Sequence, residues 1–553
     1  MASESDQYVY MDSIEPQENL NLFEDKKYTY ITDSNSNAGN FGGGQVQWNL
    51  ETLNSQSQFI DLKEAYIQLP IKLKLESALG TALVSNNVNT ATLKSAFTNF
   101  VDSIQIVING VTVQTATIYN NIDANFRYIT EWSQQELEKY GPTLNIAPDS
   151  YGLPANDIVT STSSLDNSAL KTNVVKGGFN MAVSNNPGFN QRLKWLNNGV
   201  EATNLGKSIL GESQIKTGKG NCAIGAGTEK FCGFFLATIK LASISDFIAK
   251  APLMKGIKGF IYLNFNSSKS VLVATGAAES NNDCSISSIT NSAVYGRCCT
   301  GMLNLGAPTT TTGLILSASA VDTLTFTADV SASASTLGVA PMQSNAMLWC
   351  PVYQCTPQVE RNLSKIKTIR YMERYVTEFS MTPTQSVNLT LTPGITNAKR
   401  LILYPYFTGQ GNSGNTGFIS NPLLSPLDSA PFTTSPYAYI SQLQVTHGNK
   451  PLFNSPVNCD NDLFLQEISK QGLDGGQNIQ LGSGILNADL YSSLYRYVTV
   501  NLARRMGSED GCSKAIQLSC VNGTQCPMTC IAIIWYEKEV KIDTTNCRIE
   551  QTM

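Results

Sequence analysis

The sequence predicts an all-β protein built from two β-sandwiches in tandem. Segments of strand length with alternating apolar and polar residues recur along the chain, whereas helical periodicity is confined to short stretches. The order of elements in residues 45–355 recurs in residues 366–547. About eight strands in each half, in the same order, indicate two sandwiches of the jelly-roll type, with short helical insertions and long loops.

The two halves meet within residues 345–373. Met347 to Tyr353 form an apolar, aromatic run of strand length, in which Pro351 suits an edge position or a strand end. Residues 356–365 are mostly polar and form the predicted linker. Alternation with a period of two resumes at Ile366, so we expect the second sandwich to begin there and to end near residue 547, before a short tail at 548–553.

The composition limits the classes of function. A chain of 553 residues is too long for one core. Only 15% of the residues are charged and the net charge is −5, which excludes a general basic surface for nucleic acid. Residues 1–44 are expected to form an acidic, flexible arm, whose first 25 residues contain seven acids and no lysine or arginine. Such an arm favours docking on a neighbouring subunit, or simple disorder, over binding to phosphates.

In the first half, ordered structure is expected to begin with QVQWNLETL and to continue in the long strand IDLKEAYIQLPIKLKL. Asn109-Gly110, between two alternating runs, predicts a hairpin. A helix with Ile122 and Ile129 on one face follows, and Ser133 with Glu136 predicts a capping box for a second helix that stops at Gly141-Pro142.

The rest of the first half consists of two strands and two long insertions. FCGFFLATIKLA and IKGFIYLNFN are the predicted strands, separated by a short helix that starts at Ser243 and Asp246. Residues 143–230 and 267–344 are rich in small polar residues and are predicted to be loops, the second with a possible hairpin inside. Insertions of this length usually project from a scaffold, so we expect both on the outer side, with the short loops and termini facing inward.

The second half repeats this order. A hairpin is predicted at Gly448-Asn449, and a helix is predicted to begin near Asp460 and Asp462. Three later segments match segments of the first half in order: YSSLYRYVTVNLA, SKAIQLSCVNGT and CIAIIWYEKEVKI.

No catalytic, cofactor-binding or metal site is predicted, and the chain is not expected to be an enzyme. The one histidine, His447, lies in a hairpin sequence without the partners of a zinc site or of a nucleophile triad. Gly206-Lys207-Ser208 resembles the end of a phosphate loop, but Glu201 stands where that motif needs glycine. The carboxylate pairs Asp460/Asp462 and Glu509/Asp510 are interpreted as helix caps and solvated turns.

The remaining candidates are also interpreted as structural. The 13 cysteines are scattered, and even Cys350 with Cys355, or Cys526 with Cys530, are interpreted as buried thiols. The short basic spots Arg504-Arg505 and Lys365-Lys367-Arg370 are interpreted as solvated faces. The N-x-S/T matches at Asn266, Asn362, Asn388 and Asn522 are interpreted as chance, since no secretory signal is visible. Apolar runs such as CIAIIWY are far too short to span a bilayer.

The ordered segments together resemble a known family. KKYTYITDSNSN, FIDLKEAYIQLPIKL, FVDSIQIVINGVTVQ, LATIKLASISDFIAKAPLMKG and LWCPVYQCTPQVERNL are similar to segments of the double jelly-roll major capsid proteins of small double-stranded DNA viruses. The likeness is greatest to those of polinton-like viruses and virophages, within the adenovirus–tectivirus-like lineage, and extends from about Lys27 to Cys547. The insertions 143–230 and 267–344 lie outside it.

The resemblance implies a function and partners. It implies a homotrimer with a pseudo-hexagonal outline that tiles an icosahedral shell around a double-stranded DNA genome. The implied partners are other copies of the chain, a penton protein, and minor capsid or cement proteins, without direct binding to nucleic acid. The implied location is the virion, after synthesis in the host cytoplasm or a virus factory and without secretion. No cofactor is implied.

Two alternatives remain at this stage. The first is a secreted or surface carbohydrate-binding or adhesive β-sandwich protein that uses Tyr404, Tyr406, Tyr437 and Tyr439 as sugar platforms. The second is a glycoside hydrolase on a sandwich scaffold, which would need a pair of carboxylates that the sequence does not reveal.

Overall fold

The fold was analysed in a computed structural model of the chain. It describes residues 23–34, 39, 41, 45–53, 58–78, 91–150, 187–197, 222–224, 229–276, 284–303, 321–334, 341, 343–363, 366–408, 421–426, 428–435, 437–470, 484–503, 511–544 and 548–552. Statements below refer to these residues.

The strands of the first half alternate with a few short helices. The strands are β1 (Phe23–Thr32), β2 (Gln45–Asn49), β3 (Gln58–Ile60), β4 (Tyr66–Ser77), β5 (Ala91–Leu93), β6 (Val101–Ile108), β7 (Val111–Gln114), β8 (Cys222–Ile224), β9 (Glu229–Lys240), β10 (Gly259–Phe265), β11 (Ser267–Gly276), β12 (Cys284–Tyr295), β13 (Gly301–Leu303), β14 (Val321–Val330) and β15 (Met347–Cys355). The helices are α1 (Asn120–Glu131), α2 (Gln134–Leu144), α3 (Pro187–Asn197), α4 (Leu241–Ile244), α5 (Asp246–Lys250) and, in the connection, α6 (Pro357–Leu363). Two 3-10 turns, Leu50–Leu53 and Phe97–Phe100, complete this half.

The second half is shorter. Its strands are β16 (Ile366–Met381), β17 (Ser386–Ile395), β18 (Ala398–Phe407), β19 (Ile440–His447), β20 (Lys450–Pro451), β21 (Val498–Asn501), β22 (Lys514–Asn522), β23 (Met528–Asp543) and β24 (Ile549–Thr552). Its helices are α7 (Asn461–Ser469) and α8 (Ala488–Ser493).

The same strand order appears in both halves. In the first, β1-β15-β4-β9 form the first large sheet and β2-β10-β6-β7 form the first small sheet. In the second, β16-β23-β18-β21 form the second large sheet and β17-β22-β19-β20 form the second small sheet. Numbering the eight framework strands of each half in chain order gives 1-8-3-6 facing 2-7-4-5 both times. All these pairings are antiparallel.

This shared order is that of a jelly roll, so the chain is a double jelly roll and the predicted fold class is confirmed. The predicted hairpins are also present, between β6 and β7 at Asn109-Gly110 and between β19 and β20 at Gly448-Asn449. The first turn needs a positive φ at both residues, 50° for Asn109 and 78° for Gly110, which asparagine and glycine tolerate.

The predicted helices are present, with two differences in their bounds. The capping box at Ser133 and Glu136 is confirmed, but α2 continues through Pro142 to Leu144. A proline in the last turn removes only one of the helix's hydrogen bonds, which explains why the helix does not stop there. The N-cap of α5 is Ser245, whose hydroxyl accepts from the Ile248 N–H, and not Ser243.

Strand β1 shows that the expected start of ordered structure at Gln45 was wrong. Nine of its ten residues pair with β15, with a register irregularity at Glu24, and it is the first strand of the first large sheet. Ile31 is its only buried residue, because β1 lies at the edge of the sheet. An apolar pattern was therefore too weak to reveal it.

The insertion 267–344 is not only loop. Its predicted hairpin is present as β11 and β12, and β14 pairs with both β11 and β4. These three strands extend the first large sheet beyond its jelly-roll framework. Leu272 of β11 and Leu324 and Phe326 of β14 are buried, and the composition that suggested a loop belongs to an extended sheet. Most of the insertion 143–230 lies outside the described residues.

Two clusters of apolar side chains form the interior. The smaller one lies inside the second sandwich, around Leu403, Leu518 and Ile534. The larger one fills the first sandwich and continues onto the outer face of the second large sheet, where Ile402, Ile533 and Trp535 belong to it. The second large sheet is therefore covered on both faces. In the part of the chain that is described, no helix is long and apolar enough to cross a membrane.

Candidate functional site at the junction of the two sandwiches

Each large sheet carries a tryptophan at the same place in its last framework strand. Trp535 of β23 lies between Arg374 of β16 and Arg400 of β18; we call these three residues the junction row. Trp349 of β15 lies between Tyr30 of β1 and Tyr66 of β4; we call these the aromatic row. Both rows face away from the interior of their own sandwich. Next to Trp535, Ile534 belongs to the core of the second sandwich, and next to Trp349, Leu348 and Cys350 belong to the core of the first.

Helix α1 of the first sandwich covers the junction row. The Trp535 indole N–H donates to Asp123 Oδ1 over 2.6 Å. Arg374 Nη1 donates to Asn120 Oδ1 at 2.7 Å and approaches Asp123 Oδ2 at 3.5 Å. The Arg400 guanidinium lies 4.5 Å from the centre of the Trp535 ring. Asp123 and the three members of the row are each at most 8% exposed, so the first sandwich seals this face.

A second polar cluster lies beside the junction row, around Glu373. Oε1 of this carboxylate accepts from both the backbone N–H and the hydroxyl of Thr115, at 2.8 and 2.6 Å. Oε2 accepts from the Tyr536 hydroxyl at 2.8 Å and pairs with Lys538. One carboxylate thus joins the chain after β7 to two strands of the second large sheet.

Two further contacts cross the junction near the edge strand β16. The Met372 backbone N–H donates to Asp246 Oδ2 of α5 at 2.7 Å, which satisfies a donor on the edge strand β16. Tyr371 packs edge-on against Phe247, with ring centres 5.3 Å apart, and its hydroxyl donates to the Val113 carbonyl. The end of β7, α1 and α5 therefore hold the outer face of the second large sheet.

The charges at this junction are strongly affected by their surroundings. Burial raises the pKa of Asp123, and Arg374, Arg127 and Arg400 oppose that shift. Burial also lowers the pKa of Arg400 to about 10. For Glu373, burial favours the neutral acid, but the hydrogen bonds from Lys538, Thr115 and Tyr536 outweigh it, so its pKa lies below the ordinary value. These groups fix the two sandwiches together.

The aromatic row, in contrast, is open. Tyr30 is 51% exposed, and its ring centre lies 4.9 Å from that of Trp349. Tyr66 stacks on the other side of Trp349 at 6.2 Å. The Trp349 indole N–H donates to Gln68 Oε1 at 2.8 Å within the same sheet, whereas Trp535 donates to another sandwich. Lys240 of β9 pairs with Tyr66 and ends the row.

A groove with a volume of about 620 Å³ adjoins this row. It runs between the first large sheet and helices α1 and α2. Tyr66, Glu64 and Lys240 line it from the sheet, and Tyr128 and Trp132 from the helical side. The groove and the aromatic row thus share residues and form one continuous surface.

Several residues considered from the sequence have structural positions. His447 is 6% exposed and is the last residue of β19, where it pairs with Lys450. Asp460 is the N-cap of α7 and accepts from the Leu463 N–H at 2.9 Å, which confirms the cap interpretation. Arg370 is exposed and pairs with Glu539 across strands at 2.9 Å. Gly206-Lys207-Ser208, Arg504-Arg505, Lys365 and Glu509/Asp510 lie outside the described residues.

The tyrosines of the carbohydrate-binding alternative do not form an exposed platform. Tyr404 and Tyr406 are 0% and 4% exposed. Both lie on β18, on the face of the second large sheet that packs against the first sandwich. Tyr437 and Tyr439 are partly buried, and the Arg496 guanidinium lies 5.1 Å from the centre of the Tyr439 ring.

Ten of the cysteines in the described part of the chain are free thiols, and nine of these ten are buried. Cys350 and Cys355 lie on the same strand, β15, and are not bonded to each other. Cys526, just before β23, and Cys530, on β23, are also not bonded to each other. Among the described residues, no three His, Cys, Asp or Glu side chains are placed to hold a metal ion.

Two asparagines that sequence reasoning had set aside have equivalent structural roles. Asn266 follows β10, and its amide donates to the Asn99 carbonyl while its oxygen accepts from the Arg297 N–H. Asn522 ends β22, and its amide donates to the carbonyls of Thr382 and Cys526. Both are fully buried. Their shared N-x-S/T sequence after the seventh framework strand was a signal of this turn.

The chain was compared with known proteins. No protein-family model matches the sequence, and no curated protein matches it significantly. A chain in the cryo-EM structure of the Sputnik virophage is similar, with 11% identity, a TM-score of 0.49 and coverage of 98% of this chain and 92% of that one. The mavirus major capsid protein is similar with 10% identity and a TM-score of 0.43, over 100% and 95% of the two chains. The Faustovirus major capsid protein gives 8% identity and 0.40, over 98% and 94%. Since these identities are low, the double jelly-roll assignment rests on the strand order described above.

Proposed function

We propose that this chain is a viral major capsid protein, with a structural and not a catalytic role. Three copies form a tile with a pseudo-hexagonal outline, and such tiles cover an icosahedral shell around a double-stranded DNA genome. The observation that carries the proposal is the fusion of two equivalent jelly rolls through a buried polar junction. Two similar sandwiches held side by side give six similar units in a closed three-fold ring, which is the symmetry that a hexagonal tile requires.

The outer faces of the small sheets support this proposal, because they suit permanent contacts. Charged side chains are costly to bury, and stable interfaces are depleted of them at their centres. The residues of three strands in each small sheet that point away from the core are uncharged. In the first they are Gln45, Gln47, Asn49, Ser103, Gln105, Val107, Phe260, Tyr262 and Asn264; in the second, Ser386, Asn388, Thr390, Ser441, Gln444, Thr446, Gln517, Ser519 and Val521.

The segments that resemble double jelly-roll capsid proteins lie on the framework of the fold. FIDLKEAYIQLPIKL covers β3 and most of β4, FVDSIQIVINGVTVQ covers β6 and β7, and LWCPVYQC covers most of β15. The resemblance therefore concerns the strands that build both sheets. By the same resemblance, further partners are a penton protein and minor capsid or cement proteins. The location is the virion, after synthesis in the host cytoplasm or a virus factory, and genome packaging is left to another protein.

The test is the mass of the purified chain in solution by light scattering, with negative-stain images of the same peak. We expect a species of about three times 59.9 kDa with a hexagonal outline. If the trimers assemble into closed shells when the protein is concentrated, the proposal of an icosahedral shell is supported as well. A monomer at all concentrations, without particles, would overturn the proposal.

A further inference from the structure

The outer faces of the two large sheets are equivalent, but in the described part of the chain only the face of the second large sheet is covered. The junction row on the second large sheet is sealed by the end of β7, α1 and α5 of the first sandwich. The aromatic row occupies the corresponding strands of the first large sheet, in the same cross-strand register around its tryptophan. Yet Tyr28 and Tyr30 are 48% and 51% exposed, and nothing comparable to α1 lies over them among the described residues.

The second sandwich contains the counterpart of the covering element. In the first sandwich, the β6–β7 hairpin leads into α1, whose first turn carries Asp123. In the second, the β19–β20 hairpin leads through residues 452–460 into α7, whose first turn carries Asp462. Asp460 and Asp462, at the start of α7, are both exposed. Helix α7 packs against β21 and α8 of its own sandwich.

Charge and surface type agree with this pairing. Residues 452–469 contain two exposed acids, Asp460 and Asp462, and no lysine or arginine. The third acid of the segment, Glu467, is buried and pairs with Lys470. The exposed Lys240 ends the aromatic row and Lys26 lies beside it on β1, where it pairs with Glu64 at 2.7 Å. The rings of Tyr30, Trp349 and Tyr66 offer rigid, uncharged contact area, which is typical of the centres of protein interfaces.

We propose that the aromatic row receives residues 452–469 of a second copy of this chain, so that the contact between chains repeats the contact within the chain. This deepens the proposed function and rests on it, since it names the surfaces through which copies associate. The groove beside α1 and α2 continues the same surface and accommodates the loop that precedes α7. Because the two patches differ, the contact is head-to-tail and closes into a ring.

The first test is site-specific photo-cross-linking of the full chain. Tyr30 is replaced by p-benzoylphenylalanine, the oligomer is irradiated, and cross-linked peptides are identified by mass spectrometry. We expect cross-links from position 30 to residues 452–469 of another copy. The matched control carries the same amino acid at Tyr295, which is 49% exposed but lies on β12, away from the row. Cross-links from position 30 mainly to another surface would overturn the inference.

The second test is a charge exchange followed by light scattering. Tyr30→Glu places a carboxylate against Asp462, and we expect it to raise the dissociation concentration of the oligomer about ten-fold or more. Adding Asp462→Lys should restore association to within about three-fold of the wild type, because the new charges attract. Circular dichroism melting of each variant shows that it is folded.

The outcomes separate the inference from the function on which it rests. A trimeric wild type whose mass is unchanged by Tyr30→Glu, with cross-links elsewhere, overturns this contact and leaves the capsid proposal intact. A wild type that stays monomeric overturns both. Loss of association in Tyr30→Glu that Asp462→Lys does not restore also counts against the pairing of these two segments.

Discussion

The junction row and the aromatic row occupy the same topological position but differ in chemistry. Around Trp535 the neighbours are arginines, and their charges are answered by Asp123 from the same chain. Around Trp349 the neighbours are tyrosines, which can remain in water at little cost. A face that is covered during folding can hold buried charges, because the covering acid is tethered nearby. A face that stays open in the single chain carries groups that tolerate both water and burial. The difference therefore separates a contact within the chain from a surface left for another molecule.

The largest loss of stability is expected from Asp123→Asn, at the covered face. The change removes the carboxylate that faces Arg374 and Trp535, so buried guanidinium groups lose their counter-charge. We expect the free energy of unfolding to fall by about 4 kcal/mol. The measurement is urea denaturation at fixed protein concentration. Asp489→Asn, at an exposed first-turn acid of α8, is the control and should change stability by less than about 0.5 kcal/mol. Equal effects of the two variants would contradict the sealed junction.

A smaller effect, with a pH signature, is expected from Glu373→Gln. The pKa of Glu373 is lower in the folded chain than its ordinary value of 4.5, so its contribution is fully present above about pH 4.5. It is lost as the pH falls through the folded pKa, where the wild-type acid becomes neutral like glutamine. We expect a loss of about 3 kcal/mol at pH 7 that shrinks towards zero below the folded pKa.

The measurement for Glu373→Gln is thermal unfolding at pH 7 and at pH 3. Glu539→Gln is the control, because Glu539 pairs with the exposed Arg370 and such a pair contributes less than about 1 kcal/mol. A difference between wild type and Glu373→Gln that stays constant with pH would show that the carboxylate charge is not what stabilises this contact.

The smallest effect compares the two tryptophans directly. Trp535→Phe leaves Asp123 Oδ1 buried without its indole donor, and we expect a loss of about 1.5 kcal/mol. Trp349→Phe removes a bond to Gln68 at a site that water reaches, and we expect a loss of less than about 0.5 kcal/mol. Chemical denaturation of both variants measures the two losses in the free energy of unfolding. A greater loss for Trp349→Phe would reverse the assignment of covered and open faces.

The elements that the sequence predicted are those with local signals. Asn109-Gly110 and Gly448-Asn449 tolerate the turn geometry, Ser133 with Glu136 satisfies the first turn of α2, and the repeated apolar runs form framework strands. Strand β1 was missed because it buries one side chain, and β14 was missed because threonines alternate with other residues along it.

The junction could not be predicted from the sequence for a different reason. Asp123 and Trp535 are 412 positions apart, and Thr115 and Glu373 are 258 apart. Each residue looks ordinary in its local sequence, since an acid in a first helical turn and a glutamate in a strand have simple explanations. Only the packing of one sandwich on the other brings them together. The match of CIAIIWYEKEVKI to the segment NAMLWCPVYQC of the first half indicated equivalent strands, but not that one of them would be covered.

The pairing of the first framework strand with the last also has a consequence for synthesis on the ribosome. The first large sheet cannot be completed until β15 has been synthesised, because β1 pairs with it. The second cannot be completed until β23 has been synthesised, because β16 pairs with it. The first sandwich can close once residue 355 has emerged, whereas β23 emerges later. At about 5–20 residues per second, this delay is on the order of ten to forty seconds. During that time, the nascent chain exposes α1 with Asp123 and has no partner for it. The junction therefore forms late in synthesis, and the exposed face of α1 is then available to neighbouring chains on the same messenger RNA.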